Sequence, residues 1–258
     1  MRVGVCGSVG LSGAIRDAGF DYLEGSVGEI LKPLEDDAAF DAVRAQLDRQ
    51  ALPCEALNAM VPGTLPVVGS NADPAALDRY VSVMLRRAAR VGVKVIVFGS
   101  GAARRFPADF DTRKAETQLL DFLHLLGDRA AAAGVTIAVE PLNTGETNVL
   151  NTAAESADWV RRANRPAVRL LVDAFHLMRE NEPAAVIIRE ASLLAHMHVA
   201  TRANRLGPGL EPCVELDDFF AAVKASGYTG RMSVEGGLGS DPQATLPQIC
   251  AFLCAALR

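Results

Sequence analysis

The chain is poor in cysteine pairs, aromatic residues, long apolar runs and positive charge, and each shortage closes off a class of protein. Its cysteines, Cys6, Cys54, Cys213, Cys250 and Cys254, are odd in number, scattered and never spaced as C-x-x-C. That usage supports neither a disulfide framework nor a structural zinc site and fits a reducing cytosol. No window approaches the run of about twenty apolar residues that crosses a bilayer. The first residues, Met1-Arg2-Val3-Gly4-Val5, run directly into an apolar strand pattern, with no basic segment, apolar core and cleavage site ahead of it. No secretory signal is read, and a cytoplasmic location with no membrane partner is expected. Lys and Arg number 26 against 31 Asp and Glu, a formal charge of -5. Nucleic-acid binding relies on cations displacing counterions from phosphates, so no nucleic-acid partner is expected. Gly4, Gly7, Gly10 and Gly13 match neither G-x-G-x-x-G nor the P-loop spacing, and there is no G-x-S-x-G elbow or Cys/His constellation. Nucleotide-loop and acyl-transfer chemistries therefore lack support.

What is present is a rhythm. Aromatics make up only 5% of the residues; Ala, Val and Leu dominate instead, the composition of tightly packed parallel strands and short helices. Short apolar runs at 2–6, 22–24, 54–58, 93–99, 135–140, 168–173, 194–199 and 231–235 alternate with helical-period stretches at 74–91, 113–133, 154–164, 183–192, 216–226 and 245–257. Gly92, Gly134 and Gly227 stand where a helix C-cap precedes the next strand. No linker or low-complexity tract divides the chain. Eight βα units in 258 residues imply an α/β fold, one (β/α)8 TIM barrel over 1–258, although a doubly wound open sheet has the same local pattern. Two irregular stretches, 60–73 and 201–215, are expected above the catalytic end, where they could fold over a ligand.

Four of these strands end in or beside a metal-capable side chain: Val139-Glu140, Val172-Asp173, Met197-His198 and Val234-Glu235. In a TIM barrel the strand C-termini converge over one mouth, so residues far apart in sequence would meet there. Two glutamates, an aspartate and a histidine form an oxygen-rich set with one imidazole, which suits one Mn²⁺ or Mg²⁺ ion and by geometry accepts Co²⁺ or Zn²⁺. Taken singly, each acid could instead cap a helix or pair with an arginine. His196 and His198 lie two apart on one strand and face the same side. His198, nearer the C-terminal end, is the expected ligand; His196, one layer deeper, is expected as a hydrogen-bonded core histidine, and His124 as a structural residue in a helix. His176, three residues after Asp173, is placed in the loop beyond the strand as a donor to substrate, and Glu146, in a polar loop with Asn143 and Asn148, as a partner for a substrate hydroxyl. Arg104 and Arg105 could bind an anionic group or simply be solvated.

Together Val139-Glu140-Pro141-Leu142-Asn143, Val172-Asp173-Ala174-Phe175-His176, His196-Met197-His198, Ser233-Val234-Glu235 and Asn58-Ala59-Met60-Val61-Pro62-Gly63 resemble the xylose-isomerase-like TIM-barrel superfamily along the whole chain. Ketose 3-epimerases and hydroxypyruvate isomerases are the nearest look. The resemblance implies a metal-dependent sugar isomerase or epimerase with Glu140, Asp173, His198 and Glu235 as ligands and Glu140 and Glu235 as the acid/base pair. It also implies Glu146 and His176 at the carbonyl end of a small sugar substrate, and Arg205 as a substrate-binding arginine. Arg205 falls seven residues after His198 where the ketose 3-epimerase pattern has six, and Ala200-Thr201-Arg202 replaces the usual Gly-Glu. The implied mechanism is proton transfer beside a carbonyl through a metal-stabilised cis-enediolate.

Return of the proton to the opposite face gives an epimer, and to the neighbouring carbon an aldose–ketose isomer. Expulsion of a β-hydroxyl would make the enzyme a dehydratase of a keto-inositol-type substrate. An endonuclease IV-like phosphodiesterase needs more histidines than the four present and opposes the acidic balance. A non-catalytic sugar-binding barrel would have no need of two glutamates on one ion. Assembly into a homo-oligomer is left open.

Overall fold

The computed structural model describes residues 1–258. Eight short strands, β1 (Arg2–Cys6), β2 (Tyr22–Ser26), β3 (Cys54–Asn58), β4 (Val95–Phe98), β5 (Thr136–Val139), β6 (Val168–Asp173), β7 (Leu194–Val199) and β8 (Arg231–Val234), pair in sequence order and close into a barrel. All pairings are parallel, and β8 returns to β1 with Arg2 opposite Arg231 and Val5 opposite Val234. An open doubly wound sheet would leave two edges, so this closure decides between the two topologies that the rhythm allowed. Between the strands run helices α1 (Ser12–Asp17), α2 (Val27–Ile30), α3 (Asp37–Leu47), α4 (Pro74–Val91), α5 (Gly101–Arg104), α6 (Thr112–Ala133), α7 (Ala153–Ala163), α8 (Ala174–Arg179), α9 (Ala185–Arg189), α10 (Glu215–Ser226) and α11 (Pro242–Ala256). No helix is long and apolar enough to cross a membrane.

Local chemistry explains the boundaries. Asp73 caps α4 by accepting the N–H groups of Ala75 and Ala76, Pro74 occupies the first turn, and Gly92 ends the helix at φ +77°. The amide of Val93 still donates to Ala88, so the strand expected from residue 93 begins only at Val95, after the cap has released the backbone. Gly134 and Gly227 close α6 and α10 in the same left-handed conformation. The helix expected at 183–192 is shorter: α9 ends at Arg189 and a single 3₁₀ turn, Ala191–Leu193, leads into β7. Helix α3, absent from the sequence-derived set, is capped by Asp36, which accepts the Ala39 N–H.

The apolar core is split by the barrel wall. One large cluster fills the space between strands and helices; a second, made of Tyr22, Ala56, Val95, Val97, Ala138 and Leu171, stays separate from it and lies inside the barrel. The alternating direction of strand side chains produces this division. At the floor, Leu23 pairs with Cys54 and Glu24 with Ala56, so Glu55 is bulged out of register. The bulge presents Glu55 to Arg2 and Arg231, each at 2.7 Å, which closes the N-terminal end with a charged lattice. Above it the Tyr22 ring spans the interior toward β1 and donates or accepts at Ser233 Oγ, 2.8 Å away.

Gly4 makes room for that ring, because a β-carbon at this position would fall within contact distance of three Tyr22 ring atoms that cannot swing aside in a fully buried site. Gly4→Ala is expected to destabilise the barrel by about 1–3 kcal/mol, the cost of overpacking a filled interior. Urea unfolding of the two proteins checks this, and an unchanged midpoint would show that the floor is loosely packed.

Candidate metal centre

The rim at the opposite end is as polar as the interior is apolar. Glu140 follows directly on β5 and Glu235 directly on β8, while Asp173 ends β6 and His198 is the penultimate residue of β7. One donor atom from each of the four lies within 4.8 Å of the others. His198 Nδ1 sits 3.0 Å from Glu140 Oε1 and 3.3 Å from Glu235 Oε2. The strand ends therefore converge as the sequence pattern implied.

Asp173 has two tasks at one position. Its Oδ1 caps α8 by accepting the Phe175 N–H at 2.8 Å, and its Oδ2 is buried with no hydrogen-bond partner. The cap starts α8 immediately, so His176 stands in a helical turn rather than in the loop expected from sequence. The i, i+3 spacing brings its Nε2 back to 3.5 Å from Asp173 Oδ2. The backbone N–H of Asn143 donates to His176 Nδ1 at 3.1 Å, which assigns the proton to Nε2, and that N–H is also buried without a protein acceptor. An orphaned carboxylate oxygen and an orphaned imidazole donor therefore face the same space. Such groups are costly unless something outside the protein completes them.

The charge distribution matches this reading. Burial and the neighbouring Glu235 push the Asp173 carboxyl up to about 7 and raise Glu140 in the same direction. Burial acts upward on Glu235 too, but His198 and Arg205 outweigh it and hold the group at about 2. Burial opposes a charged His198, yet Glu235, Glu24 and Glu140 keep its pKa well above the ordinary value. His176, desolvated and facing Arg205, is pushed down to about 3 and stays neutral. A proton on His198 thus does, in the protein alone, what a cation among the carboxylates would do better. The donor set of three carboxylates and one imidazole, with one carboxylate oxygen left bare, fits a divalent ion.

The expected substrate residues border the cluster. Arg205 Nη2 is 2.6 Å from Glu235 Oε2 and 3.6 Å from Asp173 Oδ2; its Nη1 is 3.5 Å from Glu146 Oε1, and its guanidinium lies 4.5 Å over the Phe175 ring. The extra residue before it is absorbed by a tight turn in which Arg205 itself takes φ +50°. That turn is stitched to the next loop: Gly237 N–H donates to Arg205 O at 2.7 Å and Gly207 N–H to Gly237 O at 2.9 Å. A β-carbon on Gly236 would come within 2.7 Å of Arg205 O. Glu146 is held by Asn143 Nδ2 at 2.9 Å.

Of the two irregular stretches, 201–215 delivers Arg205 to the centre. Residues 60–73 reach it only at their start: Val61, with Ala59, lines a cavity of about 310 Å³ that also touches Glu140, Glu146 and Glu235. Farther on, Val67 N–H donates to Ala103 O, and Gly69 exchanges hydrogen bonds with Gln118. Arg104 is neither solvated nor free for an anion, whereas Arg105 is exposed as a loop arginine ordinarily is. Arg104 is fully buried and donates to the Phe98 and Leu150 carbonyls, and Arg105 donates to Glu146 O.

Three further residues complete the site, two of them, Asn58 and Asn143, lying in segments that carried the resemblance but given no role by it. Asn58 Nδ2 donates to Glu235 Oε1 at 3.1 Å, Asn143 orders both His176 and Glu146, and Glu24 lies beneath His198. Glu24 was concealed in a short apolar run, Tyr22-Leu23-Glu24-Gly25. A charged residue at an inward position of a strand was the available clue.

A closed parallel barrel with an acid-rich, histidine-containing cluster at its C-terminal mouth defines a class of TIM-barrel protein with a cation-competent centre. Within that class the chain belongs to the xylose isomerase-like TIM barrel family, whose model matches residues 13–255. A ketose 3-epimerase of Arthrobacter globiformis is 31% identical over 112 residues; the chain matches only 38% of that protein's length, and the match spans 43% of this chain. An L-ribulose 3-epimerase of Mesorhizobium japonicum is 28% identical over 226 residues, 85% of this chain and 72% of that protein. The fold is similar to that of 3-keto-D-glucoside 4-epimerase from E. coli, with a TM-score of 0.83 at 21% identity over 99% of both chains.

Carboxylate crowding predicts a stability cost. In the presence of EDTA, Asp173→Asn, which can still cap α8, is expected to stabilise the protein by about 0.5–2 kcal/mol, because functional sites trade stability for unsatisfied charge. Chemical denaturation checks this; a destabilised variant would mean that Asp173 serves the metal-free fold.

Proposed function

We propose that the protein is a divalent-metal-dependent sugar epimerase acting on a keto-sugar, with Mn²⁺ or Mg²⁺ held by Glu140, Asp173, His198 and Glu235. The observation that carries this reading is the placement of Glu140 and Glu235. They come from strands three apart in the barrel order, meet at the same His198 nitrogen, and both border the 310 Å³ cavity. That volume is at the small end of ligand sites and suits a monosaccharide.

A divalent ion held by Glu140, Asp173, His198 and Glu235 would supply Lewis-acid polarisation that acidifies the C–H beside a substrate carbonyl. One glutamate then removes that proton, and the other returns a proton to the opposite face of the planar cis-enediolate; the outcome is inversion at one carbon. His176, neutral and with Nε2–H free, donates to a substrate oxygen. Arg205 and Glu146 bind neighbouring hydroxyls, and the Arg205 contact holds the Glu235 carboxylate in its ionised form for proton removal. The names of the relatives support a ketose or keto-glycoside as the substrate class. The reaction is assigned to the cytoplasm, where the five free thiols would stay reduced.

A panel of ketoses, keto-inositols and hydroxypyruvate in D₂O with Mn²⁺, Mg²⁺ or Co²⁺ tests the proposal. An epimer carrying deuterium at the inverted carbon is expected. Glu140→Gln and Glu235→Gln should each keep the fold and lose about 10²–10⁴-fold in turnover. Loss of water from a keto-inositol without epimer formation would replace the reading by a dehydratase, and near-normal turnover in either variant would remove that glutamate from the acid/base pair.

A further inference from the structure

Glu24 touches neither the proposed cation position nor the cavity, yet it is fully buried in β2 and both of its oxygens are used. Oε1 lies 2.9 Å from His198 Nε2 and Oε2 lies 2.7 Å from His196 Nε2. No arginine or lysine shares it; its ion-pair partners are these two imidazoles. An ionised carboxylate can only accept, so at both contacts the histidine nitrogen is the donor. Burying such a group without a purpose would be expensive.

We infer that Glu24 is a positioning residue: by fixing the proton of His198 on Nε2, it leaves Nδ1 as a bare lone pair aimed at the cation shared by Glu140, Asp173 and Glu235. The inference rests on the metal centre proposed above. A neutral imidazole has one N–H and one lone pair, and which nitrogen holds which is set by the partner of the other. Without Glu24 the alternative tautomer has a ready acceptor, because Glu140 Oε1 sits 3.0 Å from Nδ1. That single hydrogen bond would remove a nitrogen ligand and occupy an oxygen ligand together.

His196 completes the device. Its ring meets His198 edge to face, with centroids 5.0 Å apart and planes at 83°, and its Nε2 holds the second oxygen of Glu24 so that the carboxylate cannot rotate away. Ser233 Oγ stands 3.4 Å from the same nitrogen and is linked in turn to Tyr22. The floor of the barrel therefore reaches the cation position through Tyr22, Ser233, His196, Glu24 and His198. This gives His196, expected only as a satisfied core histidine, a reason to be a histidine.

Glu24→Gln keeps the size of the side chain but offers one acceptor oxygen instead of two. The test titrates Mn²⁺ alone into wild-type and Glu24→Gln protein by competition with a fluorescent chelator, with thermal melts in EDTA reporting on the fold. A 10–100-fold weaker Kd in the variant is expected, the usual effect of removing a carboxylate behind a metal-bound histidine. ¹⁵N NMR of histidine-labelled protein loaded with diamagnetic Mg²⁺ supplies a signature that a packing role would not move. Wild-type His198 should be protonated at Nε2 and not at Nδ1, and the variant should populate the reverse. A Kd within twofold of wild type, or Nδ1–H in the loaded wild type, would overturn the role of Glu24. The wild-type spectrum decides the matter even if the variant fails to fold. Absence of Mn²⁺ binding by the wild type would instead overturn the metal centre itself.

Discussion

Four carboxylates, from Glu24, Glu140, Asp173 and Glu235, crowd around one imidazole at the end of a low-dielectric barrel, and the surrounding architecture manages that concentration of negative charge. In the protein alone the load is carried by the proton of His198, by Arg205 against Glu235, and by the Asn58 amide. Such charge is tolerable only where it is paired or hydrogen-bonded. A fold that brings five strand ends to one rim can supply those partners from many directions, which a helix face or an isolated loop could not. The same convergence explains why Asp173 and Glu140 are driven upward, by burial and by Glu235, while Glu235 is held down by His198 and then by Arg205, whose guanidinium is 2.6 Å from Glu235 but 3.6 Å from Asp173.

The two ends of the barrel divide the work. The floor carries the Glu55 ion pairs with Arg2 and Arg231 and is filled by Tyr22. The bulge that turns Glu55 inward shifts the register of β3 against β2 at Leu23 and Glu24. It thereby helps set where the Glu24 carboxylate stands beneath the two histidines. Packing at the bottom and chemistry at the top are joined through one strand.

Much of this was legible in sequence. The eight βα units, the glycine caps and the convergence of the four strand-end side chains at 140, 173, 198 and 235 follow from periodicity and from the rule that barrel strands converge at their C-termini. Barrel closure was not, since pairing of β8 with β1 is a long-range event with no local signature. His176 was placed correctly near the cluster but in the wrong element, because Asp173 reads as a ligand and its second role as a helix cap is invisible until the backbone turns. Glu24 was missed for the opposite reason: one acid in a five-residue strand has no periodic partner, and its meaning comes from two histidines more than 170 residues away in the chain. Arg104 misled because a loop arginine is ordinarily solvated, whereas here the β4 and β5 loops fold over it and give it their carbonyls.

The turn bearing Arg205 and the glycines after Glu235 are laced together backbone to backbone, with no space for a side chain at Gly236. The conformations of the two segments are therefore fixed as a pair. An insertion that lengthened the arginine turn would drag the Glu235 carboxylate with it unless the neighbouring segment changed in the same step. Exchange of ligand preference between such barrels, by natural drift or by grafting, then requires transplanting both segments as a single cassette.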